Sequence, residues 1–91
     1  MPKSSSKIPA SHSLEAGTPI HTSAELGLLV RERRKRLALN QLDIAGLGNT
    51  GNRFIVDLEK GKPTLQLQKV LDVMALLGLE LIVRPKSAKG L

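Results

Sequence analysis

Residues 40–61 read NQLDIAGLGNTGNRFIVDLEKG, and this stretch decides how the rest of the chain is organised. It has the pattern of two short helices joined by a glycine-rich turn. Asn40 can cap the free amides of a first helix, Gln41–Leu47. The second helix covers Asn52–Lys60. Ile44, Ala45, Leu47, Ile55 and Leu58 have the spacing of one shared apolar core. Between the helices, residues 46–51 (GLGNTG) are types that tolerate positive φ. On the second helix Asn52, Arg53, Val56 and Asp57 fall away from the Ile55/Leu58 face. Asn and Arg at the exposed start of a short helix suit the reading of base edges in a major groove.

Working outward, residues 61–63 (GKP) break the chain after the second helix. Thr64 is expected to cap a further helix over 65–77. Its stripe is Leu67, Val70, Leu71, Met74 and Leu77, read as core, and Gly78 is its stop. Residues 79–84 (LELIVR) change to period two: Leu79, Leu81 and Val83 alternate with Glu80, Ile82 and Arg84, and Pro85 ends the run. That is a strand pattern. A lone short strand leaves its backbone groups unpaired, so pairing with a second copy about a two-fold axis is the economical arrangement. The alternative is an extended tail lying on the helices.

Upstream, residues 22–25 (TSAE) have the form of a capping box, which opens a helix to about residue 37. Leu26, Leu29, Val30 and Leu37 form its stripe. Continuing that stripe turns Arg33 or Arg34 toward the core, where a guanidinium needs a paired acid. Glu59, directly after the core residue Leu58, is the candidate. The run at 31–36 (RERRKR) places cations at the end of this helix that favours them. It serves either as a solvated face or as a phosphate contact. Residues 1–21 lack apolar periodicity and read as a flexible arm, in which Lys3 and Lys7 could reach phosphate. Residues 85–91 read as a polar tail.

The 91 residues bound the chain to one small domain, and a net charge of +6 suits an anionic partner. With no cysteine and two separated histidines, His12 and His21, neither a disulfide framework nor a metal site is expected. No cofactor is expected either. One aromatic residue, Phe54, argues against single-stranded nucleic acid, which needs stacking platforms. No apolar run approaches the roughly 20 residues of a membrane span, and no signal-peptide core is present. An enzyme is not expected, because no catalytic constellation is present. Gly46, Gly48 and Gly51 formally match a dinucleotide fingerprint but lack the preceding strand.

The set LALNQLDIAGL, followed by LEKGKPT, resembles the Cro/C1-type (XRE) helix-turn-helix repressors over about residues 22–78. The matching positions are Asn40-Gln41, Ala45, Ile55 and the closing run at 58–62 (LEKGK). Four short helices followed by a strand-like LELIVRP are most similar to the HipB-like antitoxin repressors. The resemblance implies an all-α, compact four-helix, lambda-repressor-like domain whose C-terminal strand (Leu79, Leu81, Ile82, Val83) pairs between subunits. It implies base contacts from Asn52, Arg53, Val56 and Asp57. It implies phosphate contacts from Asn40, Gln41, Thr50, Lys60 and Lys62, and a buried ion pair of Arg34 with Glu59. Three departures stand out. Asn49 replaces the usual turn glycine, Gly51 the usual Ser cap, and Phe54 a common Ser or Thr.

The implied function is a homodimeric repressor on a palindromic operator in double-stranded DNA. It would be cytoplasmic, bacterial, and nucleoid-associated when bound. A HipA-like kinase toxin is the implied further partner. A plain phage-type or metabolic repressor without a toxin is the alternative.

Overall fold

The computed structural model describes residues 17–86. Residues 1–16 of the expected arm (1–21) and 87–91 of the expected tail (85–91) lie outside the described residues. Four helices follow one another: α1 (Ser23–Arg36), α2 (Gln41–Leu47), α3 (Asn52–Lys60) and α4 (Leu67–Leu76). None of the described residues is in a strand.

Each of the first two helices starts with a reciprocal cap. Thr22 Oγ1 accepts from the Glu25 amide at 3.1 Å, and Glu25 accepts from the Thr22 amide at 3.2 Å. Asn40 and Asp43 repeat this at α2, at 2.8 and 2.9 Å. Each pair satisfies donors that the first helical turn leaves free. In the turn before α3, Gly48 and Gly51 keep negative φ, and Asn49 alone adopts the left-handed conformation, at φ 53°. Asn tolerates this region better than other side chains do. Gly51 then precedes α3 without a side-chain cap.

Val30, Ile44, Ala45, Ile55, Leu58, Val70, Val73, Met74 and Leu77 form one buried cluster drawn from all four helices and the residue that ends α4. Each large side chain removed from water there contributes about 1.5–3 kcal/mol. Leu26, Leu39, Phe54, Leu65, Leu71 and Leu79 pack around it. α1 and α3 approach closely at Gly27, where an added Cβ would lie 2.5 Å from the Leu58 carbonyl oxygen. Gly61 ends α3 at φ 86°, and a Cβ there would lie 2.6 Å from Ala24 Cα. These two glycines let α3 lie directly against the start of α1.

The structure corrects two expectations, the start of the last helix and the burial of Leu37, Leu47 and Leu67. The last helix begins at Leu67 after Gln66, and Thr64 does not cap it. Residues 63–64 are spent in a turn that lets Leu65 reach the core edge. Leu67 therefore sits in the first turn facing out, and is exposed. Leu47 and Leu37, at the ends of α2 and α1, are also exposed, because each chain reverses before its stripe meets the core again. Within the single chain, residues 79–84 carry no helix or ladder. Leu79 turns back onto the core while Leu81, Ile82 and Val83 stay exposed, Val83 by 88%.

Candidate nucleic-acid interface

The surface built around α3 is set from below by one buried ion pair. Arg34 Nε donates to Glu59 Oε2 at 2.6 Å, and a second Arg34 nitrogen donates to Glu59 Oε1 at 2.9 Å. A third donates to the Leu39 carbonyl at 2.9 Å. Gln41 Nε2 adds a bond to Glu59 Oε1 at 3.1 Å. This network ties α1, the turn after it, the first residue of α2 and the end of α3 into one rigid unit. Glu59's hydrogen bonds hold the Arg34 guanidinium above its ordinary pKa, and burial opposes them. A buried charge pair of this kind is favourable only when its donors and acceptors are filled, as they are here. Arg33 bonds elsewhere. Its Nε donates to the Leu77 carbonyl at 2.7 Å and ties α1 to the end of α4.

The turn and Gly51 leave the first residues of α3 projecting. Asn52 and Arg53 are exposed, Val56 and Asp57 are half-buried, and Ile55 and Leu58 on the opposite face are buried. Arg53 Nε lies 3.2 Å from one Asp57 oxygen, and Lys62 Nζ lies 3.7 Å from the other. Lys60 and Lys62 are exposed past the end of α3. Thr50 is half-buried in the turn, its hydroxyl donating to the Gly51 carbonyl at 3.3 Å. Asn40 is exposed, with its side chain used as a cap.

Arg31, Gln41, Val56, Glu59 and Lys60 line a shallow pocket of about 280 Å³ between α1, α2 and α3. Two cations, an amide and the Glu59 carboxylate thus converge beside the exposed face of α3. Chemically, Arg31 and Lys60 offer this surface two cations that an anion can meet. Among the described residues, no group of three or more His, Cys, Asp or Glu is placed to hold a metal ion. No helix among them is long and apolar enough to cross a membrane.

Several contacts escaped the reading of the sequence, and three show why. The Asp43 half of the α2 cap could have been found from its spacing to Asn40. The Arg53–Asp57 pair has the i, i+4 spacing of helix ion pairs and could also have been found. The Arg33–Leu77 bond joins distant residues and carries no local signal.

No family model matches the chain. It is similar to the "Uncharacterized HTH-type transcriptional regulator y4mF" of Sinorhizobium fredii (strain NBRC 101917 / NGR234). The two are 54% identical over 59 residues, which cover 65% of this chain and 78% of that relative. Among solved structures, one named "MDT Protein" superposes with a TM-score of 0.72 at 14% identity. The match covers 78% of this chain and all of the other, and it speaks for the fold alone.

Proposed function

The chain belongs to the HTH-type transcriptional regulators, and from that premise we propose a sequence-specific, DNA-binding repressor that acts as a homodimer on a palindromic operator. The observation that carries the reading is the exposure of Asn52 and Arg53 at the start of α3, on a helix whose opposite face is locked into the core. Arg53 offers paired donors to guanine O6 and N7, and Asn52 suits adenine N6 and N7. Val56 flanks them, with Asp57 beside Arg53. Gln41, Lys60 and Lys62 contact phosphates, with Asn40 and Thr50 at the neighbouring helix starts, and position the reading helix without specifying sequence.

The dimer is supported by residues 79–84. Leu81, Ile82 and Val83 are exposed apolar side chains on a segment that carries no helix or ladder within the single chain. Pairing with the same segment of a second copy covers them. Two-fold symmetry then sets the two copies of α3 at half-sites about 10 base pairs apart, or a multiple of that.

We further propose, on the resemblance to HipB-like antitoxins, that a HipA-like kinase is its toxin partner. The setting is cytoplasmic, at the nucleoid when bound. A gel shift on the DNA upstream of its own gene tests the repressor. Sequence-specific retardation supports it, and equal binding to unrelated duplex contradicts it. The adjacent reading frame tests the toxin: without a HipA-like kinase there or a co-purifying partner, the plain repressor stands.

A further inference from the structure

Asp57 is an acid on the face that is read here as meeting a polyanion. A bare carboxylate there would oppose phosphate, so its surroundings decide what it can do. Its side chain is 15% exposed, against 85% for Arg53. One oxygen lies 3.2 Å from Arg53 Nε and the other 3.7 Å from Lys62 Nζ. Lys62 reaches this place because the left-handed Gly61 turns the chain back, and the Lys62 amide donates to the Asp57 carbonyl at 3.0 Å. Both carboxylate oxygens therefore face cations of the same chain.

We propose that Asp57 is a positioning residue for Arg53: its carboxylate, 3.2 Å from Nε, holds the guanidinium by ion pairing and leaves the two terminal nitrogens as the fork that reads guanine. This deepens, and rests on, the assignment of α3 as the DNA-reading helix. A free arginine loses rotamer freedom when it docks, and one already held loses less. The two terminal nitrogens present parallel donors that match guanine O6 and N7. Lys62 neutralises the second oxygen, so the carboxylate meets the DNA as part of a cationic cluster. Asp57 reads no base of its own.

The test selects binding sites from a pool of random duplexes with the wild type, Arg53→Ala, Asp57→Ala and Asp57→Glu. In parallel, solvent exchange of the Arg53 Nε proton is followed by NMR in the free proteins. Arg53→Ala abolishes the preference at one base pair of each half-site. Asp57→Ala weakens that same preference by about tenfold, within the range that a bidentate contact carries, and speeds Nε exchange. Asp57→Glu restores both in part, since a longer carboxylate at the same helical spacing still reaches the arginine. A preference changed by Asp57→Ala at a different base pair overturns the proposal, because Asp57 then reads a base itself. An unchanged preference with Asp57→Ala, while Arg53→Ala still alters it, overturns the positioning role and leaves α3 as the reading helix. A wild type that selects no sequence overturns the reading helix itself, and positioning with it.

Discussion

Arg34 and Glu59, 25 residues apart, meet in a two-point ion pair with each residue only 8% exposed. The pair joins the arginine-rich end of α1 to the last turn of α3. Removing one partner leaves an unpaired buried charge, which costs about 3–5 kcal/mol. Arg34→Ala and Glu59→Ala are each expected to lower the unfolding free energy by that order, read as a lower urea midpoint. An apolar double replacement, Arg34→Met with Glu59→Leu, is expected to lose less than either single change. A double variant as unstable as the sum of the singles would contradict this account.

Gly27 marks where α1 and α3 touch through backbone. A Cβ there would be 2.5 Å from the Leu58 carbonyl and 2.7 Å from the Glu59 carbonyl. Neither is a flexible side-chain end, so the helices must separate. Gly27→Ala is expected to destabilise by about 1–3 kcal/mol, as overpacking does. The gain in helix propensity, at most about 1 kcal/mol, only partly offsets this. Thermal melting checks the sign.

Ala38 follows α1 in the left-handed region at φ 60°. An L-residue there carries about 1–2 kcal/mol of strain that glycine avoids. Glycine gives back about 0.5–1 kcal/mol through the unfolded chain. Ala38→Gly is therefore expected to raise stability by up to about 1 kcal/mol, read as a higher melting temperature. A lower one would contradict the assignment.

Glu25 accepts from the backbone amide of His21 at 2.6 Å, and this bond first, then that from Thr22, holds its carboxyl below the ordinary value of 4.5. A group depressed on folding adds stability above its unfolded pKa and loses it as pH falls through the folded one. Hydrogen exchange of the His21 and Thr22 amides is expected to be slow near neutrality. Their protection relative to the intrinsic rate, which itself slows on acidification, should fall as pH drops below about 4.5, and Glu25→Gln should remove that pH dependence. Protection that strengthens on acidification would contradict the cap.

Residues 79–84 are expected to carry the dimer contact. Truncation after Leu79 keeps the side chain that packs on the core and removes the exposed Leu81, Ile82 and Val83. Sedimentation should find a two-fold mass for the full chain and a single mass for the truncated one. A monomeric full chain would remove the pairing of this segment.

The four helices were legible because their starts and stripes are local signals. Asn40, the Thr22/Glu25 spacing and the Ile55/Leu58 face are all read within one or two turns. The start of α4 was not legible. Thr64 is a better cap than Gln66 by type, and only the packing of Leu65 moves the helix two residues on. Periodicity also failed at Leu37, Leu47 and Leu67. A stripe shows which side chains share a face, but not where that face runs out of core. At the interface, sequence left Arg33 and Arg34 as alternatives for the core side. One faces the Leu77 carbonyl and the other Glu59, a division set by α4, which lies far along the chain.

The central claim is that Arg53 reads sequence from the exposed start of α3. The most direct measurement is quantitative binding of wild type and Arg53→Ala to the upstream duplex and to a random duplex at one salt concentration. Wild-type binding is expected to be at least about a thousandfold tighter to the upstream duplex than to the random one. Arg53→Ala is expected to lose roughly 1–3 kcal/mol on the upstream duplex and much less on the random one. Equal losses on both duplexes, or none on either, would contradict the claim.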